Sequence, residues 1–141
     1  MGIFLNSTAP YESYKRTAQT RFFVDKTWLI DEILHGLERD NQRCVCITRP
    51  RRFGKTVMAN MLCAFLGNAA DSGDIFSCLK ISRSPFYRTH RNQYDVIYID
   101  FSEEPEKCGF YDRYISRFLD GVKADLRKGF PEIAEDDRKS L

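Results

Sequence analysis

Soft metal ligands are scarce in this chain. It has five cysteines, an odd number with no Cys-x-x-Cys pair, and only two histidines, so a zinc site is not expected. No apolar run approaches the ~20 residues of a membrane helix. Residues 1–5 are too few and lack a basic leader, so secretion is not indicated. Net charge is almost missing as well: 22 Lys and Arg against 20 Asp and Glu leave +2, which by itself selects no partner. Internal repeats and low-complexity stretches are absent. These absences point to a cytoplasmic protein without a membrane anchor and with reduced thiols. At 43% hydrophobic and 30% charged, the composition is that of a packed chain rather than a disordered one. Its 141 residues suit one domain with a single core.

What is present is unevenly placed. Arg49, Arg51, Arg52 and Lys55 crowd one loop, and Arg83, Arg88, His90 and Arg91 form a second basic stretch, while Glu132, Glu135, Asp136 and Asp137 collect near the end. Residues 49–56 read Arg-Pro-Arg-Arg-Phe-Gly-Lys-Thr, after the apolar run Cys44-Val45-Cys46-Ile47 and before the helix-compatible residues 57–66. Strand, tight loop ending in Gly-Lys-Thr, then helix is the context of a phosphate-binding P-loop. Amides from Arg52 and Phe53 through Gly54, Lys55 and Thr56 would face phosphate oxygens at the positive end of the helix dipole. Lys55 would reach the outer phosphates, and the Thr56 hydroxyl would take a place on Mg²⁺ carried by the nucleotide. The usual first glycine, five positions before Gly54, is replaced by Arg49.

Along the chain, residues 1–20 show little periodicity and read as an N-terminal arm. Residues 21–24 are a short extended candidate. Asp25 or Thr27 caps a helix whose Leu29, Ile30, Ile33, Leu34 and Leu37 recur at helical spacing. Residues 43–48 read as a strand, on which Cys44 and Cys46 share one buried face. The helix over 56–67 is apolar on nearly all sides, as expected under a sheet, and Gly67-Asn68, residues that tolerate left-handed angles, would end it. Residues 75–81 form a short apolar piece, 94–100 a strongly β-prone run, and 110–128 a second amphipathic helix. The order predicts an α/β fold, a partial P-loop NTPase-like parallel sheet flanked by helices over 21–130, with an acidic tail at 131–141.

The ordered set Phe23-Val24-Asp25-Lys26-Thr27, then Ile47-Thr48 with the 49–56 loop, then Met61-Leu62 and Phe65, then 95–102 (Asp-Val-Ile-Tyr-Ile-Asp-Phe-Ser) resembles the N-terminal part of bacterial AAA-ATPase-like proteins. That resemblance spans about residues 9–130 and makes Arg49 a habit of the family. It implies an ATP-type nucleotide with Mg²⁺ at the loop, and Asp25-Lys26-Thr27 near the base or ribose. It also implies that the acid ordering the Mg²⁺ water, and the catalytic arginines, lie on elements beyond this chain. Many relatives carry a restriction-endonuclease-like domain further on. Hydrolysis is therefore left open, as is enzyme status.

Each feature has a plainer role beside it. Arg49 and Arg51 are phosphate or nucleic-acid candidates, or loop scaffolding paired to acids; Arg52 is the better phosphate candidate. Asp100 ends the β-prone run and reads as structural rather than as the Mg²⁺ acid, and nothing places Glu103 or Glu104. Arg83, Arg88 and Arg91 with Phe86 and Tyr87 make a mix suited to single strands, or a solvated loop whose aromatics turn to the core. A second function class stays open: a stand-alone derivative that inhibits or regulates by binding protein or nucleic acid, for example a mobile-element protein blocking a nucleic-acid-targeting defence complex. A protein partner or a second copy would then cover an exposed sheet edge.

Overall fold

Pro10 sits in the first turn of a helix, where its missing amide proton costs nothing. The computed structural model describes residues 2–39, 44–101 and 111–132, and α1 (Ala9–Ala18) falls inside the stretch expected as an arm. Its polar composition hid it; Tyr14 anchors it, with Tyr11 packed against the same core. Tyr14 is buried, stacked on Phe76 at 5.4 Å and edge-on to Phe23 at 6.2 Å between ring centroids. The chain divides into two compact units, Thr8–Asp95 and the joined segments Met1–Ser7 and Val96–Leu141.

The Thr8–Asp95 unit is helical. α1 packs on α3 (Lys55–Leu66), and α2 (Trp28–Arg39) buries Ile30 and Leu34, four apart on one face. Three short pieces follow: α4 (Gly73–Phe76), a 3₁₀ turn (Lys80–Arg83) and α5 (Phe86–His90). Each contributes one core residue, Phe76, Ile81 and Phe86 respectively, against Tyr14, Ile30, Leu34, Met61 and Phe65. Burying each such side chain contributes about 1.5–3 kcal/mol. Asn92 fastens the end of this unit. Its backbone is left-handed at φ 57, its side-chain amide donates to the carbonyls of Gly67 (2.5 Å) and Ala70 (2.8 Å), and its oxygen accepts from the Ser72 amide and hydroxyl, both at 3.0 Å.

The second unit is built on α6 (Tyr111–Gly129). Phe118 meets Phe4 edge-on at 4.9 Å and Phe101 at 5.5 Å. Asp125 accepts the Phe4 amide at 2.7 Å and the Leu5 amide at 3.3 Å, which tie the N-terminal segment to the helix. These amides, Phe4 first, hold the Asp125 carboxyl below the usual carboxylate range.

The expected α/β parallel sheet does not form. Among the described residues there is no strand, only two isolated bridges: Gly67 with Tyr94, parallel, and Leu5 with Ile97, antiparallel. The reason is partnership rather than propensity, since a β-prone run becomes a strand when neighbours complete its pleated surface. Residues 44–48 lie extended but unpaired, with Cys44, Cys46 and Thr48 exposed and Val45 52% exposed. Cys44 and Cys46 are thus not the buried pair expected; Cys63 is the half-buried thiol, pushed up to about 11 by burial. The 94–100 run splits its backbone bonds, with Tyr94 turning to Leu66 and Asn68 in one unit while Val96 and Tyr98 meet Asn6 and Phe4 in the other. Residues 21–24 form a turn and an irregular stretch. α3 ends at Gly67, which is buried and extended (φ −68, ψ 141).

Candidate functional site

The Gly-Lys-Thr loop holds its bend by backbone conformation. Arg52 has φ 67 and Gly54 φ 81, both left-handed, and a non-glycine residue held there stores strain of about 1–2 kcal/mol. Gly54 is the N-cap of α3, and its carbonyl accepts from Met58 at 2.9 Å. No hydrogen bond among the described residues takes the amides of Gly54, Lys55, Thr56 or Val57. Four donors therefore stand open at the positive end of a 12-residue helix, the arrangement that receives an anion. Lys55 folds back over the loop, its ammonium donating to the carbonyls of Arg49 at 2.5 Å and Pro50 at 3.3 Å. Thr56 is exposed on the first helical turn, and its hydroxyl makes no hydrogen bond among the described residues.

A cavity of about 350 Å³ opens beside this loop. Arg52, Phe53 and Gly54 form one side, with Val57, Met58 and Met61 of α3; the other side is Tyr14, Thr17, Thr20 and the stretch Phe22, Phe23, Val24 and Lys26. Sequence reading reached Lys26 and the loop but missed α1 and 22–24 as wall. Nothing in the 1–20 stretch signals a wall, and the 21–24 run reads as a strand. The neighbours of Lys26 fix that wall in place. Asp25 accepts the Thr27 amide (2.9 Å), the Thr27 hydroxyl (2.7 Å) and the Lys80 amide (2.7 Å), while the Thr27 oxygen accepts the Ile81 amide at 3.1 Å. Burial raises the Asp25 carboxyl, but these donors outweigh it and hold it below the usual range. Asp25 and Thr27 are thus anchors of the wall, and Lys26 alone of the three faces the cavity.

The Tyr14 hydroxyl is buried and has no hydrogen-bond partner among the described residues. Burial pushes its phenol above the ordinary tyrosine value, and the Asp25 carboxylate adds to this, so the group stays protonated as a donor.

The remaining candidates are not among the residues that line the cavity. Arg49 and Arg51 are exposed in the loop. Arg83 and Arg88 are exposed on the 3₁₀ turn and α5, but Arg91 pairs with Asp71 at 2.5 Å and lies over the Tyr87 ring at 5.3 Å. Phe86 is buried in the core and Tyr87 packs against it, so the aromatic half of that patch turns inward. Asp100 belongs to the α6 unit; Glu103, Glu104 and residues 133–141 of the acidic tail lie outside the described residues. Among the described residues, no cluster of three or more His, Cys, Asp or Glu could hold a metal ion, and no helix is long and apolar enough to cross a membrane.

A family model described as Predicted AAA-ATPase matches residues 11–138. The match covers both the wall of the cavity and the loop, and the chain belongs to this AAA-ATPase-like family. No curated protein matches the chain, and no solved structure does.

Proposed function

We propose that the Thr8–Asp95 unit binds the phosphates of a nucleotide at the 52–56 loop, with Mg²⁺ carried on the phosphates. The observation that supports this is the open set of amides from Gly54 to Val57 at the start of α3, held so by two left-handed residues. Such amides and the helix dipole favour an anion without any side-chain rearrangement. Lys55 would exchange the Arg49 and Pro50 carbonyls for the outer phosphates, and Thr56 would supply one oxygen to the metal. Arg52 carries a guanidinium on the same bend, suited to a non-bridging phosphate oxygen. Family membership supports the same reading. The proposal concerns binding; hydrolysis would need a water-ordering acid and an arginine at the γ-phosphate, and no residue is assigned those roles.

Calorimetric titration of the full chain with ATP and Mg²⁺, beside Lys55→Ala, tests it. Saturable binding in the parent, weakened at least ten-fold in the variant, is the expected result. Equal binding by both proteins, or none by either, would refute it.

A further inference from the structure

One of the chain's two histidines sits between a carboxylate and a phenol. His90, the last residue of α5, has both ring nitrogens engaged: Nε2 with a Glu38 carboxylate oxygen at 3.0 Å, and Nδ1 with the Tyr94 hydroxyl. A carboxylate can only accept, so the ring proton is on Nε2 and points at Glu38. Nδ1 is then a bare acceptor, and the Tyr94 O–H donates to it. Separate pieces of chain hold this line. Glu38 comes from the last turn of α2, and the Phe86 ring packs against the imidazole at 5.4 Å between centroids, with the planes crossed by 70°. The Tyr94 backbone is clamped at both groups, its amide donating to the Leu66 carbonyl and its carbonyl accepting the Asn68 amide, each at 3.0 Å. The His90 and Tyr94 rings lie nearly parallel, 8° apart with centroids at 5.8 Å. The His90 side chain is only 14% exposed whereas Tyr94 is 41% exposed, so the residue that gives its proton to an enclosed imidazole is itself open to reagents from solvent.

We infer that Tyr94 is an acyl-acceptor site, with His90 as its general base and Glu38 as the residue that orients that base. This site owes nothing to the 52–56 loop. Its co-reactant is an activated acyl donor, a carbonyl carbon carrying a good leaving group. The Tyr94 oxygen bonds to that carbon, and the bond from the carbon to the leaving group breaks with its electron pair. The phenolic proton passes to His90 Nδ1 and then to the leaving group, so an ester forms on Tyr94 and the imidazole ends neutral. While the imidazole holds that proton, the Glu38 carboxylate offsets its charge. A hydroxyl nucleophile is weak until an adjacent base activates it. Positioned proton transfer contributes about 10²–10⁴-fold in developed sites. Here the Glu38 carboxylate is 52% exposed and water screens it, which puts the gain at the low end or below. Tyr11 is the contrast: its oxygen accepts from the Lys15 ammonium at 3.2 Å, which draws electron density from the atom that would attack.

Treating the full chain with N-acetylimidazole, and following each tyrosine's acetylation by peptide mass spectrometry, tests the inference. Dividing each rate by that of the same tyrosine in the urea-unfolded chain removes sequence effects. Exposure alone can raise that ratio no higher than one. Tyr94 is expected above one, by about ten-fold, with Tyr11 and Tyr87 below one. His90→Gln, whose amide oxygen still accepts the phenolic hydrogen bond but cannot take the proton, should bring Tyr94 to one or below. Glu38→Gln keeps an acceptor for the Nε2 proton and loses the charge. It should slow Tyr94 several-fold while Tyr11 and Tyr87 keep their ratios, which a general loss of structure would not allow. A Tyr94 ratio at or below one in the parent would overturn the acceptor site without recourse to any variant. An accelerated Tyr94 that ignores His90→Gln would overturn the base, and one that ignores Glu38→Gln would remove Glu38 from its positioning role.

Discussion

The Lys55 ammonium donates to the Arg49 carbonyl oxygen at 2.5 Å, so the residue that replaces the customary first glycine of the loop uses its backbone, not its side chain, to hold the lysine. The contact spans six positions and closes the bend from within. An exposed bond of this kind contributes about 1 kcal/mol.

Lys55→Ala should therefore leave ligand-free stability within about 2–4 °C in melting temperature. The same substitution should abolish the stabilisation that the proposed site would give the parent with saturating ATP and Mg²⁺, about 2.7 kcal/mol at a hundred-fold excess over Kd. Thermal melts with and without nucleotide separate the two effects. A large ligand-free loss would make Lys55 chiefly a structural residue.

Gly54→Ala isolates the backbone. A Cβ at Gly54 would meet nothing closer than the Val57 Cβ at 4.0 Å, yet φ is +81. Space is available and the conformation is not. The expected cost is about 1–2 kcal/mol of stability, or a rearranged bend that loses the open amides. Either appears as a lower melting temperature or weakened tripolyphosphate binding, whereas an unaffected variant would show that the left-handed geometry is dispensable.

Acid should weaken the cavity wall through Asp25. Its folded-state carboxyl lies below the ordinary value, so the folded protein binds fewer protons than the unfolded chain across the carboxylate range. The stabilisation is complete above the unfolded value and is lost as pH falls through the folded one. Asp71, held down by the Gly73 amide and then by Arg91, and Asp74, held down by Lys15, act in the same direction. Asp25→Asn, which cannot present two carboxylate oxygens to Thr27 and Lys80, should lower stability at pH 7 by about 1–3 kcal/mol. It should also flatten the acid limb of a stability–pH curve, and an unchanged limb would remove Asp25 from this role.

Asn92 should be among the costliest polar substitutions. Asn92→Ala removes the bonds to Gly67, Ala70 and Ser72 and keeps a Cβ in a left-handed backbone, with an expected loss of about 3 kcal/mol or more. Asn92→Gly relieves only the backbone part and should recover about 1 kcal/mol of it. Chemical denaturation of both variants checks the order, and a glycine variant no better than alanine would assign the whole effect to the side chain.

Helices were legible where apolar residues recur at helical spacing. Ile30 and Leu34 of the α2 pattern are in the core while Leu37 is 40% exposed, and α3, apolar on nearly all sides, buries Met61, Ala64 and Phe65. The bend before α3 carries a local signal: glycine at the left-handed position, with a lysine and a threonine on the next turn. α1 escaped because only Pro10, Tyr11 and Tyr14 turn toward the core in an otherwise polar stretch, too few to set up an apolar stripe.

By itself the sequence determined the helical faces that bury Ile30 and Leu34 and the glycine bend that opens α3, because helix spacing and turn residues act over a few positions. Whether Cys44–Thr48 and the 94–100 run became a sheet was decided only by tertiary structure, because a strand needs a partner's donors and acceptors and sequence does not say where those lie. Tertiary structure likewise brought Tyr14, Phe22 and Lys26 to the edge of the Gly54 bend. A cavity belongs to no segment, and its walls exist only once distant pieces of chain have packed.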